Sequence, residues 1–118
     1  MPVNAAFLQL GAVAQAAGAT HIALHSAAPD ATGSNQTSAA RLTANWSTAN
    51  GVLTLGSAKN FTGGAASGPV THVGLWSAAT GGTFYGWFAI PTGAGNDLTF
   101  NAAGQYTLNT FPITNQSP

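Results

Sequence analysis

The stretch V-T-H-V-G-L-W-S-A-A-T-G-G-T-F-Y-G-W-F-A-I, from Val70 to Ile90, sets the tightest limit on how this chain folds. Two runs of β-branched and aromatic residues flank Gly81-Gly82, and a Gly-Gly pair supplies the positive φ angles of a primed two-residue turn. The pattern predicts a β-hairpin at the centre of the core. Its first arm offers Thr71, Val73 and Leu75 to one face and Val70, His72, Gly74 and Trp76 to the other. The second sets Phe84, Gly86, Phe88 and Ile90 against Thr83, Tyr85, Trp87 and Ala89. Both faces of that second arm are apolar, as in a strand covered on two sides by a second sheet or a neighbouring subunit.

Around this hairpin the chain punctuates itself into short elements. Asn4 to Ala17 is the one helix candidate: Asn4 can cap the first turn, the run is Ala-rich, and Gly18 stands where a C-terminal cap belongs. Val3, Phe7, Leu10 and Ala14 make a narrow apolar stripe, and Gly11 weakens the interior by about 1 kcal/mol, so the helix needs docking. Thr20–Ser26 alternates as a strand with Ile22 and Leu24 inward, and Ala27–Ser38 is a long loop of turn formers. Arg41–Trp46 alternates with Leu42, Ala44 and Trp46 on one side, and Asn50-Gly51 turns the chain into a return strand at Val52–Leu55. Further strands are expected at Lys59–Thr62, Asp97–Phe100 and Gln105–Phe111, with a break at 91–96 and Pro112 as a terminator. Seven or eight short strands at about ten-residue spacing predict a mainly β, antiparallel, jelly-roll-like β-sandwich with one short N-terminal α-helix. The expected layout is a single domain: a helix arm over 1–18, the sandwich over 19–113 and a tail over 114–118.

Composition narrows the function classes. Of 118 residues only Arg41, Lys59, Asp30 and Asp97 are charged, 3% against about 25% in an average soluble domain. A neutral chain lacks the repulsion that keeps monomers apart, which suits a permanent assembly better than a dilute monomer. One Lys and one Arg argue against nucleic-acid binding, which needs clustered cations on the phosphates. The lack of a long apolar run argues against membrane insertion, and the absence of Cys removes a disulfide framework and thiolate chemistry. The N-x-S/T matches at Asn35, Asn45, Asn60 and Asn115 are read as chance in an Asn- and Thr-rich chain without a secretory signal.

Little in the sequence carries chemistry. His21 and His25 on one strand stand about 13 Å apart, too far to chelate one metal ion directly, and His72 belongs to another element. There is no G-x-S-x-G elbow, and a two-carboxylate hydrolase would have only Asp30 and Asp97, both in turn-like surroundings. No catalytic, metal or cofactor-binding residue is expected, and no cofactor. Arg41 and Lys59 are free solvated charges by default, with a salt bridge to Asp30 or Asp97 as the other option. An exposed aromatic, or a helix stripe docked on a neighbour, would mark an interface, which makes Val3, Phe7, Leu10, Trp46, Trp76, Tyr85 and Trp87 the interface candidates.

The order of T-H-I-A-L-H-S-A-A-P-D-A-T-G-S-N-Q-T-S (Thr20 to Ser38), R-L-T-A-N-W, V-T-H-V-G-L-W-S-A-A-T-G-G (Val70 to Gly82), F-Y-G-W-F-A-I-P and a late D-L-T-F, behind an Ala-rich helix, resembles small virion proteins of tailed bacteriophages. These are described as tail-fibre-like or minor virion proteins, and the likeness runs through about 90 of the 118 residues. It departs after Asp30, where the family often carries acidic residues and a Tyr-Ala-Arg segment and this chain has Ala39-Ala40-Arg41. The resemblance implies a non-enzymatic structural protein on the particle exterior, either tail-fibre-like or a minor accessory protein. Capsid decoration and a host-receptor or carbohydrate-binding module are the alternatives. The implied partners are copies of itself and other virion proteins, with a host surface glycan under the last alternative. The implied place is the virion, assembled in the bacterial cytoplasm.

Overall fold

The computed structural model describes residues 4–90 and 95–114, so Val3, the tail beyond Thr114 and most of the expected break at 91–96 lie outside the described residues. Among the described residues, helix α1 (Ala5–Gly18) leads into nine strands: β1 (His21–His25), β2 (Leu42–Thr43), β3 (Ser47–Ala49), β4 (Val52–Thr54), β5 (Lys59–Phe61), β6 (His72–Trp76), β7 (Phe84–Ala89), β8 (Tyr106–Leu108) and β9 (Pro112–Thr114). All pairings are antiparallel, in a four-stranded sheet of order β2-β1-β6-β7, a three-stranded sheet β3-β4-β9 and a two-stranded sheet β5-β8. The class is the expected one, mainly β with one N-terminal helix. One core joins the sheets: Ile22, Leu24 and Val73 from the first meet Phe61, Tyr106 and Leu108 from the third, with Leu55 and Phe111 beside the second.

The hairpin that dominates the sequence is the centre of the large sheet, with β6 paired to β1 on one side and β7 on the other. Its turn differs from the expected two-residue type. Seven residues separate Trp76 from Phe84, and the loop is closed by Ser77 N–H to Thr83 O (3.0 Å) and Thr83 N–H to Ser77 Oγ (2.7 Å). Gly81 and Gly82 do take positive φ, but as part of this wider loop. The two-residue primed turn occurs instead at Asn50-Gly51, φ 51° and 84°, which brings β3 directly onto β4.

Several expected strands are shorter or divided. Arg41–Trp46 yields only β2, because Asn45 adopts φ 52° and bends the chain before β3 begins. Leu42, Ala44 and Trp46 nevertheless all reach the core. Asp97–Phe100 forms a single bridge, Pro69 to Thr99, flanked by Val70 N–H to Leu98 O and Phe100 N–H to Gly68 O. Pro112 does not end the last strand but opens a new one. The chain leaves β5 after Leu108 and joins β4 at Pro112, where a missing N–H is tolerated at a strand's first residue.

Helix α1 is capped as read, Asn4 Oδ1 accepting from Phe7 N–H at 3.0 Å, and ends one residue beyond Gly18's expected role, with Ala19 as the cap. It packs within its own chain on the β3–β4 hairpin. Gln9 is the fastener: its Nε2 donates to Thr48 Oγ1 (2.8 Å) and its Oε1 accepts from Gly51 N–H (2.9 Å). Leu8 lies so close to the turn that a Cβ on Gly51 would meet its Cβ at 2.5 Å. The docked face therefore runs through Leu8, Ala12 and Ala16, one step around from the expected stripe.

Candidate functional site

With its inner face on the hairpin, α1 turns Phe7, Leu10 and Ala14 of the predicted stripe to solvent, with Val13 beside them. Phe7 is 60%, Leu10 70% and Val13 53% exposed, on a helix that carries no charged residue. A surface helix ordinarily has a polar outer face, and one apolar on both faces belongs in a buried setting.

The stripe leads toward an apolar groove of about 490 Å³ where the end of α1 approaches the large sheet. Ala14 and Gly18 form one wall, and Trp46, Leu53, Leu75, Tyr85 and Ile113 complete it. Trp46 is held in place by donating Nε1–H to Ala19 O at 2.8 Å and by an edge-on contact with Phe111, centroids 6.1 Å apart.

Tyr85 and Trp87, both expected on one face of β7, are parted by a β-bulge. The register runs Trp76 to Phe84 and then Leu75 to Gly86, so Tyr85 is the extra residue. It turns toward the helix, into the groove beside Leu75 and Gly18. Trp87 stays on the outer side, edge-on to His72 at 4.9 Å. Tyr85 is 55% and Trp87 46% exposed, so the described residues leave this arm open where the sequence predicts cover on both faces. β7 is also the edge of its sheet, and an uncharged edge strand is an opening for pairing with another chain.

Trp76 has a different fate from the other aromatic candidates: its own chain covers it. It lies parallel to His25 (6.4 Å, 5° between planes), tilts against Phe84 (5.0 Å) and carries the Arg41 guanidinium 3.6 Å above its ring. Gly33 closes the stack with φ 77°, and a Cβ there would meet the indole at 2.5 Å. Arg41 is far from a free charge. It donates to Ala78 O (2.9 Å), Gly81 O (2.8 Å) and Gln36 Oε1, tying the β6–β7 loop to the loop after β1. Sequence reasoning missed this role; the only hint was that so few cations must each have a specific place.

The remaining polar groups are placed as structural elements. Asp30 accepts from Thr32 N–H at 2.9 Å, and hydrogen bonds from Thr32, its side chain first, hold its carboxyl below the ordinary range. Asp97 lies on a separate polar groove with Asn60, Thr62 and Gln105. His21 and His72 contact the hydroxyls of Thr20 and Thr71. Only His25 is fully buried, and among the described residues no group of three metal-ligating side chains forms. No described helix is long and apolar enough to cross a membrane. Models of known protein families give no match to this chain, and no curated protein matches it.

Proposed function

We propose that this chain is a non-enzymatic structural protein of a tailed-bacteriophage virion, a tail-fibre-like or minor accessory protein that assembles on the particle exterior with copies of itself and other virion proteins. One observation carries the assembly part: the outer face of α1 presents Phe7, Leu10 and Val13 to water with no charged residue on the helix. A chain with four charged residues has little else to keep copies apart, and covering this stripe removes the apolar surface from water. The virion part rests on the resemblance of Thr20–Ser38 and Val70–Gly82 to phage proteins. Density for the chain in a reconstruction of a particle whose genome encodes it, with α1 against a neighbour, is the expected result. Intact particles that lack the chain would overturn the proposal.

A second function is favoured by the open aromatics. Tyr85 over the groove and Trp87 on the sheet's outer face are the kind of rings on which sugars stack. Under this alternative, a host surface glycan is the partner, and glycan-array binding is lost in Trp87→Ala or Tyr85→Ala. An array that stays blank with wild-type protein excludes it for the sugars displayed.

A further inference from the structure

We propose that His25 is an acid-operated latch: when its ring gains a second proton, the loop after β1 (residues 26–38) releases the outer face of the large sheet and uncovers Trp76 and Phe84. The inference is independent of the virion proposal and rests on how the ring is enclosed. His25 is 0% exposed, between β6, the loop and the Trp76–Phe84 pair. Its Nδ1 lies 2.8 Å from Ser34 O. A carbonyl only accepts, so Nδ1 carries the proton in the neutral ring and Nε2 is left with a lone pair.

Nε2 is buried without a hydrogen-bond partner, and so is Trp76 Nε1, which can only donate. Both border the same spot: a side chain on Gly74 would strike Nε2 and lie 3.1 Å from Trp76 Nε1. In the neutral ring the Nε2 lone pair and the indole N–H thus border one polar spot without bonding each other. A protonated ring puts a second N–H at that spot, where no acceptor bonds either donor, and buries a cation.

The surrounding charges offer no relief. From the segment before β2, Arg41 sits over the Trp76 ring. From β6, His72 is the cross-strand partner of His25 in register. β7 contributes Phe84, which does not titrate. The loop's one acid, Asp30, is exposed and bound to its own neighbours Thr32 and Ser34. Burial is the largest influence that lowers the basicity of His25; the Ser34 carbonyl opposes it, and Arg41 and His72 add to it. The loop is closed on itself by Ser26 N–H to Asn35 O and is held to its surroundings by few bonds, chiefly Thr37 N–H to Leu24 O (2.9 Å), His25 to Ser34 O and Arg41 to Gln36 Oε1. Opening it is the shortest route to hydrating an imidazolium.

The test is nuclear magnetic resonance of the full chain between about pH 7.5 and about pH 4.5. At the upper end His25 should be the Nδ1–H tautomer. As it titrates, the amides of Ser26, Gly33 and Thr37, whose hydrogen bonds close the loop, should lose protection by about tenfold or more in step with the ring, while the β6–β7 core stays ordered. His25→Asn can keep a donor toward Ser34 and cannot titrate, so its loop should stay closed throughout; His72→Gln should keep the acid step. The proposal is overturned if the wild-type loop stays protected while His25 titrates, if the acid step persists in His25→Asn, or if acid unfolds the whole chain at once. Should His25→Asn not fold, the wild-type titration alone decides.

Discussion

The Arg41 guanidinium carbon lies 3.6 Å from the centroid of the Trp76 ring, and the same side chain reaches the carbonyls of Ala78 and Gly81 at 2.9 and 2.8 Å. One residue thus covers the buried tryptophan of the central hairpin and fastens the hairpin's loop. Arg41→Ala should destabilise the fold by about 1–3 kcal/mol, from the lost ring contact and the lost hydrogen bonds to a charged donor. Arg41→Lys should recover less than half of that, because an ammonium cannot lie flat on the indole while it reaches two carbonyls and Gln36. Denaturant midpoints of the two variants check the ranking.

Gly33 is the second cover on Trp76. At φ 77°, and with the indole 2.5 Å from any added Cβ, Gly33→Ala meets both backbone strain and a collision. Gly81→Ala meets the backbone strain alone, since nothing lies within 4 Å of its added Cβ. Thermal melts should show Gly33→Ala as clearly the more damaging, with the aromatic circular-dichroism signal changed in that variant only.

The buried imidazole makes stability fall on the acid side. Because its folded-state value lies below the ordinary 6.5, the unfolded chain binds the proton first. The contribution is therefore fully present above the ordinary value and is lost as pH falls from there toward the folded value. Urea midpoints of wild type should decline over that window, and His25→Asn should decline less.

Tyr106 sets the alkaline limit by the opposite sign. Its hydroxyl donates to Asp97 O at 2.7 Å, and burial pushes it from 10.0 up to about 12, helped by the Asp97 charge. Folding then keeps a proton that the unfolded chain gives up, so this contribution holds below pH 10.0 and drains away as pH rises toward 12. Tyr106→Phe should flatten that decline in a pH series of melts.

The fold class was legible because period-two alternation and turn pairs act locally. Val70–Ile90, Asn50-Gly51 and the Asn4 cap each specify their element within a few residues. The failures have non-local causes. Tyr85 and Trp87 alternate in sequence, yet a bulge opposite Leu75 and Trp76 sends them to different sides. Phe7, Leu10 and Ala14 form the apolar stripe legible in the sequence, but Gln9, on the adjacent face, fastens the helix the other way round. Arg41 looked like a lone charge because its partners are backbone carbonyls about forty positions on, which carry no signal in a side-chain sequence. Of the candidate interface residues, Trp76 is covered by its own chain, Trp46 is half-buried in the groove, and Phe7, Leu10, Tyr85 and Trp87 remain open.

That open helix face is where the account is most exposed to test. Sedimentation of the purified chain over a wide concentration range measures it directly, with Phe7→Ser/Leu10→Ser beside wild type. Both positions point to solvent, so the double variant should keep its melting temperature to within a few degrees. Wild type should associate as concentration rises, and the double variant should remain monomeric. A wild-type chain that stays monomeric throughout, or a double variant that associates equally well, would contradict the claim that this stripe is an assembly surface.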